Sequence, residues 1–259
     1  MRNLKLTLSY DGTRYQGFTK PKTKEKDSTQ TVSAKLTETL NRLTGEEIEL
    51  FGGAKTETGV HALLQTVNFK TNCPLSTDEL RQALNHYLPQ DICIFTVEEV
   101  PERFHAALNA GAKTYEYRII NRPVSDVFQR KYALHLAQPL DVAAMKEAAR
   151  LLTGKRDFQF FSAGKTKKKK SSEKELYSVQ IENVFTGLSE SEYSHDIRII
   201  LTANDFLYQM PQLIIGTLLD IGLSRRTPDC VERILKGQET ASAPCPAYGL
   251  FLKEVAYPE

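Results

Sequence analysis

Residues 51–62 read Phe51-Gly52-Gly53-Ala54-Lys55-Thr56-Glu57-Thr58-Gly59-Val60-His61-Ala62. Ile48 and Leu50 suggest a strand before this stretch and Thr66 to Phe69 another after it, so a loop set between strands is expected. Glycines at 52, 53 and 59 free the backbone, while Lys55, Glu57 and His61 bring a cation, a carboxylate and a titratable ring onto one short segment. Such a loop is a place where chemistry can be mounted on a rigid sheet. The plain alternative is a turn with a satisfied histidine, and residue types alone leave the two level.

Specific chemistries can be weighed against this loop. A phosphate cradle needs a glycine directly before Lys-Thr and another five residues earlier; Ala54 stands before Lys55-Thr56, and Gln159 takes the first-glycine position ahead of Gly164-Lys165-Thr166. Nucleotide hydrolysis is therefore not expected. Glu57 and His61 are four apart and would share one helical face, which suits a metal pair or an acid/base pair. No third ligand candidate lies nearby, so no metal is expected. His105, in Arg103-Phe104-His105-Ala106, reads as a packed or hydrogen-bonded histidine.

Working outward, the sequence mixes strands and helices without strict βαβ alternation, an α+β pattern. Leu4, Leu6, Leu8 and Tyr10 alternate as a half-buried strand, and Val32, Leu36, Leu40 and Leu43 repeat at helical spacing before Gly45. Ser76 and Glu79 form a capping-box signature for a helix through Leu80, Leu84 and Leu88 that Pro89 ends, and Ile92 to Val97 reads as a strand. Tyr115, Tyr117 and Ile119 alternate with Glu116 and Arg118 in the best strand pattern of the chain. Asp141 is placed to cap a helix that stops at Gly154, and strands are expected around Leu176 to Phe185 and Asp196 to Ala203. An apolar helix is expected from Phe206 to Leu223, begun or kinked by Pro211. Thr227 and Pro228 should open a short helix, and Leu250 to Tyr257 a closing strand. Either two lobes, 1–105 carrying the loop and 106–259, or one extended sheet with helical layers is expected.

Composition bounds the rest. The 259 residues, 41% hydrophobic and 25% charged, suit a globular chain with a sizeable core and exclude collagen-like or disordered classes. No apolar run reaches the ~18 residues of a membrane span, and no signal-like segment follows Met1, so a cytoplasmic protein is expected. Cys73, Cys93, Cys230 and Cys245 lack C-x-x-C spacing and read as reduced thiols. The net charge of +2 announces no polyanion partner, but its distribution does. Lys20, Lys22, Lys24 and Lys26 form one cluster, and Lys165, Lys167, Lys168, Lys169, Lys170 and Lys174 another. Neither has apolar periodicity, so both read as loops able to follow a phosphate backbone. Solvated loops are the alternative for either alone; two runs favour nucleic acid.

The stretch from Gly53 to Ala62 resembles the bacterial tRNA pseudouridine synthase A signature Gly-Arg-Thr-Asp-x-Gly-Val-His. Further blocks resemble the same family in the same order: Tyr10-Asp11-Gly12-Thr13-x-Tyr15-x-Gly17-Phe18, Gln30-Thr31-Val32, Arg103-Phe104-His105-Ala106, Lys113 to Ile119, Phe206 to Gly216, and Pro244 through Tyr257. The resemblance covers nearly the whole chain. It implies a two-lobed subunit on a continuous, mostly antiparallel sheet with flanking helices and a basic cleft for RNA, acting as a homodimer. It further implies cofactor-free isomerisation of uridine in structured RNA, namely the tRNA anticodon stem-loop; ribosomal RNA stands as a second candidate partner beside the resemblance. The C–N glycosidic bond breaks, the base rotates and a C–C bond forms, after the base has left its stack.

Three departures from the family fall on the residues the resemblance marks as catalytic. Glu57 stands in place of the aspartate, Lys55 in place of the preceding arginine, and Gln212 in place of the arginine that pairs with the aspartate. The added methylene shifts a carboxylate by more than ~1 Å, enough to cost roughly 100-fold in rate. Lysine keeps the charge of arginine without its planar fork. Tyr117, matching the tyrosine that packs against the target base, is kept, as are Gly59 and His61, and His61 is expected to contact RNA together with the lysines of the two clusters. Impaired or retuned isomerisation is expected, and the competing expectation is a catalytically silent RNA-binding or RNA-remodelling protein.

Overall fold

The computed structural model describes residues 1–19, 30–164, 171–184 and 195–258. Its elements are β1 (Arg2–Tyr10), α1 (Val32–Thr44), β2 (Phe51–Gly52), β3 (His61–Thr71), α2 (Thr77–Tyr87), β4 (Ile92–Val100), β5 (Ala112–Asn121), β6 (Leu134–Leu136), α3 (Val142–Leu152), β7 (Gly154–Asp157), β8 (Glu173–Val184), β9 (His195–Ala203), α4 (Met210–Gly222), α5 (Cys230–Leu235) and β10 (Leu250–Ala256). The fold is α+β with mostly antiparallel strands, the class the sequence predicts. Two compact units divide the chain: Met1–Gly111 together with the stretch from Phe251 onward, and Ala112–Leu250.

In the first unit, β1 runs antiparallel to β3 on one side and β4 on the other. β2 joins β3 antiparallel at Asn68 and Val67, while β10 joins it parallel at His61 and Ala62. The alternation of β1 does what it predicts: Leu4, Leu6, Leu8 and Tyr10 are buried, with Lys5, Thr7 and Ser9 between them less so. Leu36 and Leu40 of α1 and Leu80 and Leu84 of α2 are buried in the same unit. Thr31 caps α1 and Gly45 ends it in the left-handed region. The Ser76–Glu79 capping box opens α2 in both directions.

In the second unit, antiparallel pairing runs β5 to β9 to β8 to β7, and β6 lies parallel on β5. Asp141 caps α3, which packs on β8 and α4. The strand predicted around Tyr115 to Ile119 is present, and both its faces are covered: Thr114, Tyr115, Glu116 and Tyr117 are all buried.

Three expected boundaries move. The return strand is Phe51–Gly52 rather than Ile48 and Leu50, because the Asn41 side chain takes the Ile48 amide at 2.9 Å. The apolar helix begins at Met210, not Phe206. Pro211, lacking an N–H and bulky toward the carbonyl four residues back, is tolerated in a first turn and forbids extension upstream. The short helix begins at Cys230 behind Asp229, with Thr227 and Pro228 forming the turn before it.

All four cysteines are free thiols, Cys93 exposed and the other three buried. No helix among the described residues is long and apolar enough to cross a membrane.

Candidate active site

The loop between β2 and β3 is fixed by polar contacts from within the first unit. Gln65, fully buried on β3, accepts from the Ala54 amide at 3.1 Å and donates to the Ala54 carbonyl at 2.9 Å. Tyr10, at the end of β1, shares a 2.8 Å hydrogen bond with Thr56 Oγ1. Burial holds the Tyr10 phenol well above its ordinary pKa, so it serves as a neutral anchor. The Phe18 amide donates to the Thr56 carbonyl, the Gly59 amide to the Tyr15 carbonyl, and the Val60 amide closes a turn on the Glu57 carbonyl. Gly59 takes φ 78°, which a side chain would resist. Ala54, Thr56 and Val60 are thereby buried, Glu57 is half-buried, and Lys55 and Thr58 are exposed.

His61 opens β3 behind this loop and is 1% exposed. The Gly12 amide donates to its Nδ1 at 3.0 Å, and its ring stacks on Phe251 at 4.7 Å between centroids. Asp11 Oδ1 lies 3.2 Å from the same nitrogen, a contact that would be an ion pair only for a protonated ring. A Gly12 amide donating to Nδ1 uses the lone pair of that nitrogen. Asp11 Oδ1 instead accepts from the amide and hydroxyl of Thr13. His61 thus serves the loop's scaffold from the start of β3, while Lys55 and Glu57 lie on the loop before it, with Glu57 at its turn. His105, as expected, is hydrogen-bonded and packed, accepting from the Ala107 amide and lying 4.4 Å from Phe51.

The second unit gathers Tyr117 and Gln212. Tyr117, on β5, has no exposed surface; its hydroxyl donates to the Pro246 carbonyl at 3.1 Å. Its ring lies so close to Gly249 that a Cβ there would stand 2.8 Å from Cζ. Burial, followed by the neighbouring Cys245, pushes the Tyr117 phenol far up, and burial pushes the Cys245 thiol up to about 12. Gln212, in the first turn of α4, is 5% exposed; its Nε2 donates to the Cys245 carbonyl at 3.3 Å, and the Cys245 amide returns to the Gln212 carbonyl. Gln212 and Tyr117 are therefore tied to one backbone segment, Cys245-Pro246. Gln212 Oε1 is buried without a hydrogen-bond partner among the described residues.

The lysines at 20, 22, 24 and 26, and those at 165 and 167–170, lie outside the described residues. Lys174 corrects an expectation: it sits on β8 and pairs with Asp205 at 3.0 Å, while Lys113 approaches the same carboxylate at 2.6 Å. This triad pins the connection leading into α4. Burial would raise the Asp205 pKa, but the two ammonium groups outweigh it and hold it below the usual carboxylate range. A depressed folded-state pKa adds stability above the unfolded carboxylate value of about 3.9 and loses it as pH falls through the folded value. In urea titrations, wild type should exceed Asp205→Asn at pH 7 by on the order of 1 kcal/mol, since the 46% exposed carboxylate is partly screened. The gap should close below pH 4; a gap unchanged down to pH 3 would remove the ion triad as its cause.

Sequence reasoning missed Gln65, Tyr10 with Thr56, and the Cys245-Pro246 segment. A glutamine within the apolar run of β3 is the one signal that could have marked the clamp. Among the described residues, no group of three or more His, Cys, Asp or Glu is placed to hold a metal ion.

A buried loop scaffold that presents a half-buried carboxylate, together with this order of strands and helices, can be set beside known proteins. The family model described as tRNA pseudouridine synthase matches residues 7–108 and 148–258. The chain is 38% identical over 258 residues to "tRNA pseudouridine synthase A 2" of Clostridium tetani, covering 99% of both chains. It is 37% identical to the protein of the same name from Bacillus anthracis and 38% identical to "tRNA pseudouridine synthase A" of Brevibacillus brevis, each over 259 residues, 99% of this chain and 100% of the relative. The chain belongs to the tRNA pseudouridine synthase family.

Proposed function

We propose that this protein binds structured RNA, tRNA foremost and ribosomal RNA second, takes a uridine out of its stack, and isomerises it at most slowly through Glu57. The observation that carries this reading is the loop itself. Thr56, Gly59, Val60 and His61 retain the family pattern and are held in place by Tyr10, Gln65 and Gly12, so position 57 sits on a scaffold suited to a carboxylate. The carboxylate acts at the ribose C1′ and uracil ring as the C1′–N1 bond breaks and the C1′–C5 bond forms; the C5 hydrogen leaves as a proton and N1 takes one up, so the product is an isomer of the substrate. Lys55 supplies charge toward the RNA, and Tyr117 supports the backbone at Gly249 rather than offering an open ring face. The lysines at 20, 22, 24, 26, 165 and 167–170 supply salt-sensitive phosphate contacts. The protein works in the cytoplasm as a homodimer gripping one RNA, with a light-scattering mass of twice the chain's 29.3 kDa.

The second reading, RNA binding without turnover, is favoured by Gln212. Its neutral amide is engaged with the Cys245 carbonyl, and an amide offers a carboxylate no charge. Single-turnover release of the uracil C5 hydrogen from labelled tRNA and ribosomal RNA, kept separate, decides between them. Slow release that vanishes in Glu57→Ala is the expected result. Salt-sensitive binding with no release establishes the second reading, and absence of any RNA binding overturns both.

A further inference from the structure

The connection between β9 and α4, Asn204 to Gln209, is fixed along its length, yet it holds one large ring out in solvent. Asn204 exchanges hydrogen bonds with Glu175, its amide donating to the Glu175 carbonyl and its side-chain oxygen accepting from the Glu175 amide. Asp205 is locked between Lys113 and Lys174. Phe206 packs edge-on against Tyr115 at 5.2 Å. The Tyr208 carbonyl accepts from the Ala163 amide at 3.2 Å and from Ser162 Oγ at 3.3 Å. Gln209 follows at φ 56°, a left-handed conformation that disfavours any residue with a Cβ, and the Met210 amide closes onto the Leu207 carbonyl. Despite these restraints, Tyr208 is 57% exposed. Its neighbour Gly164 has no side chain to cover it; a methyl there would lie 3.5 Å from Tyr208 Cβ and 3.8 Å from Cδ1.

An exposed aromatic side chain on a firmly held backbone segment, four residues before Gln212, matches what a nucleobase needs. A tyrosine has few side-chain torsions to fix, so its ring can stack at modest entropic cost, and a stacked base is tolerant of sequence. We propose that Tyr208 is an RNA-contacting residue that stacks on an unpaired base or ribose of the bound RNA. The proposal rests on the RNA-binding reading above and adds to it a contact that acts through stacking rather than charge.

The chain contains no tryptophan, so Tyr208→Trp places a single reporter at the position. With the full-length protein and unfractionated bacterial tRNA, its emission should be quenched on saturation. Tyr208→Ala should weaken tRNA binding roughly 5- to 150-fold, the range for losing one stacked base, while Tyr208→Phe stays near wild type. The slope of log affinity against log salt should be unchanged in both, because no phosphate contact is lost. Unchanged emission from Tyr208→Trp at saturating tRNA, with Tyr208→Ala binding like wild type, overturns the proposal while leaving the RNA-binding reading intact. Wild-type protein that binds neither tRNA nor ribosomal RNA removes both. Thermal melts keep the Ala result interpretable, since an exposed ring contributes little to folding and Tm should hold.

Discussion

Replacing Glu57 by aspartate should raise C5-hydrogen release from tRNA by roughly 100-fold, the factor expected when a reacting group ~1 Å out of place is brought back into line. The scaffold under position 57 is already formed: the Gln65 clamp on Ala54, the Tyr10–Thr56 bond and the Gly59 turn fix the backbone to either side. Side-chain length is therefore the variable that the substitution changes. If charge pairing is also limiting, Gln212→Arg combined with Glu57→Asp should exceed Glu57→Asp alone. Gln212→Arg by itself should gain little and lose some stability, because it gives up the bond to the Cys245 carbonyl and places a long cation at a position only 5% exposed. Single-turnover rates on the same RNA preparation measure all four proteins. Glu57→Asp and the double variant both no faster than wild type would sink the idea that these two positions limit turnover.

Gly12→Ala should be the most damaging single methyl in the first unit. A Cβ at Gly12 would stand 2.0 Å from the Val60 carbonyl oxygen, a separation that real Cβ contacts do not show, and the obstacle is backbone. Neither side can give way freely. The turn after β1 is held by the Asp11 amide on the Asp91 carbonyl and by Tyr15 on Gly12, and the loop by Gly59 on Tyr15. Separation would also break the bond from the Gly12 amide to His61 Nδ1. Overpacking of this kind costs typically ~1–3 kcal/mol and here belongs at the upper end, which lowers Tm by about 5–10 °C in a chain of this size. Gly164→Ala, whose methyl would meet only ordinary contacts, should stay within ~0.5 kcal/mol and serves as the control. Equal melting temperatures for the two variants would show that the turn and the loop are not packed as described.

What could be read from the sequence was what depends on neighbours along the chain. β1 and α2 declare themselves because alternation and the Ser76–Glu79 box are local. Glu173 to Glu175 hid their strand because a run of charges looks solvated, and only pairing with Asp205 shows why Lys174 is ordered. The start of α4 was misplaced for a related reason. Phe206 and Leu207 fit a helical stripe, but contacts to residues 113, 174 and 163, distant in sequence, hold this stretch out of the helix. The loop bearing Glu57 was legible by composition and by resemblance. Its supports were not, since Tyr10 reaches Thr56 across 46 positions and Gln65 reaches Ala54 across 11.

The place of β10 bears on how the protein is made. The first unit is completed by residues that follow the whole second unit in the chain: β10 adds to β3 at His61 and Ala62, the Gly111 amide binds the Ala256 carbonyl, and the Tyr257 hydroxyl donates to the Ala106 carbonyl. A ribosome moving at roughly 5–20 residues per second needs on the order of ten seconds to traverse the intervening stretch. During that interval β2 can cover Val67 and Asn68, but the His61 end of β3 presents an unfilled hydrogen-bonding edge and His61 lacks the Phe251 ring. The nascent chain therefore carries the Glu57 loop beside an open strand until synthesis is nearly finished, so chaperone capture or mispairing would strike first at the element on which the candidate site is built.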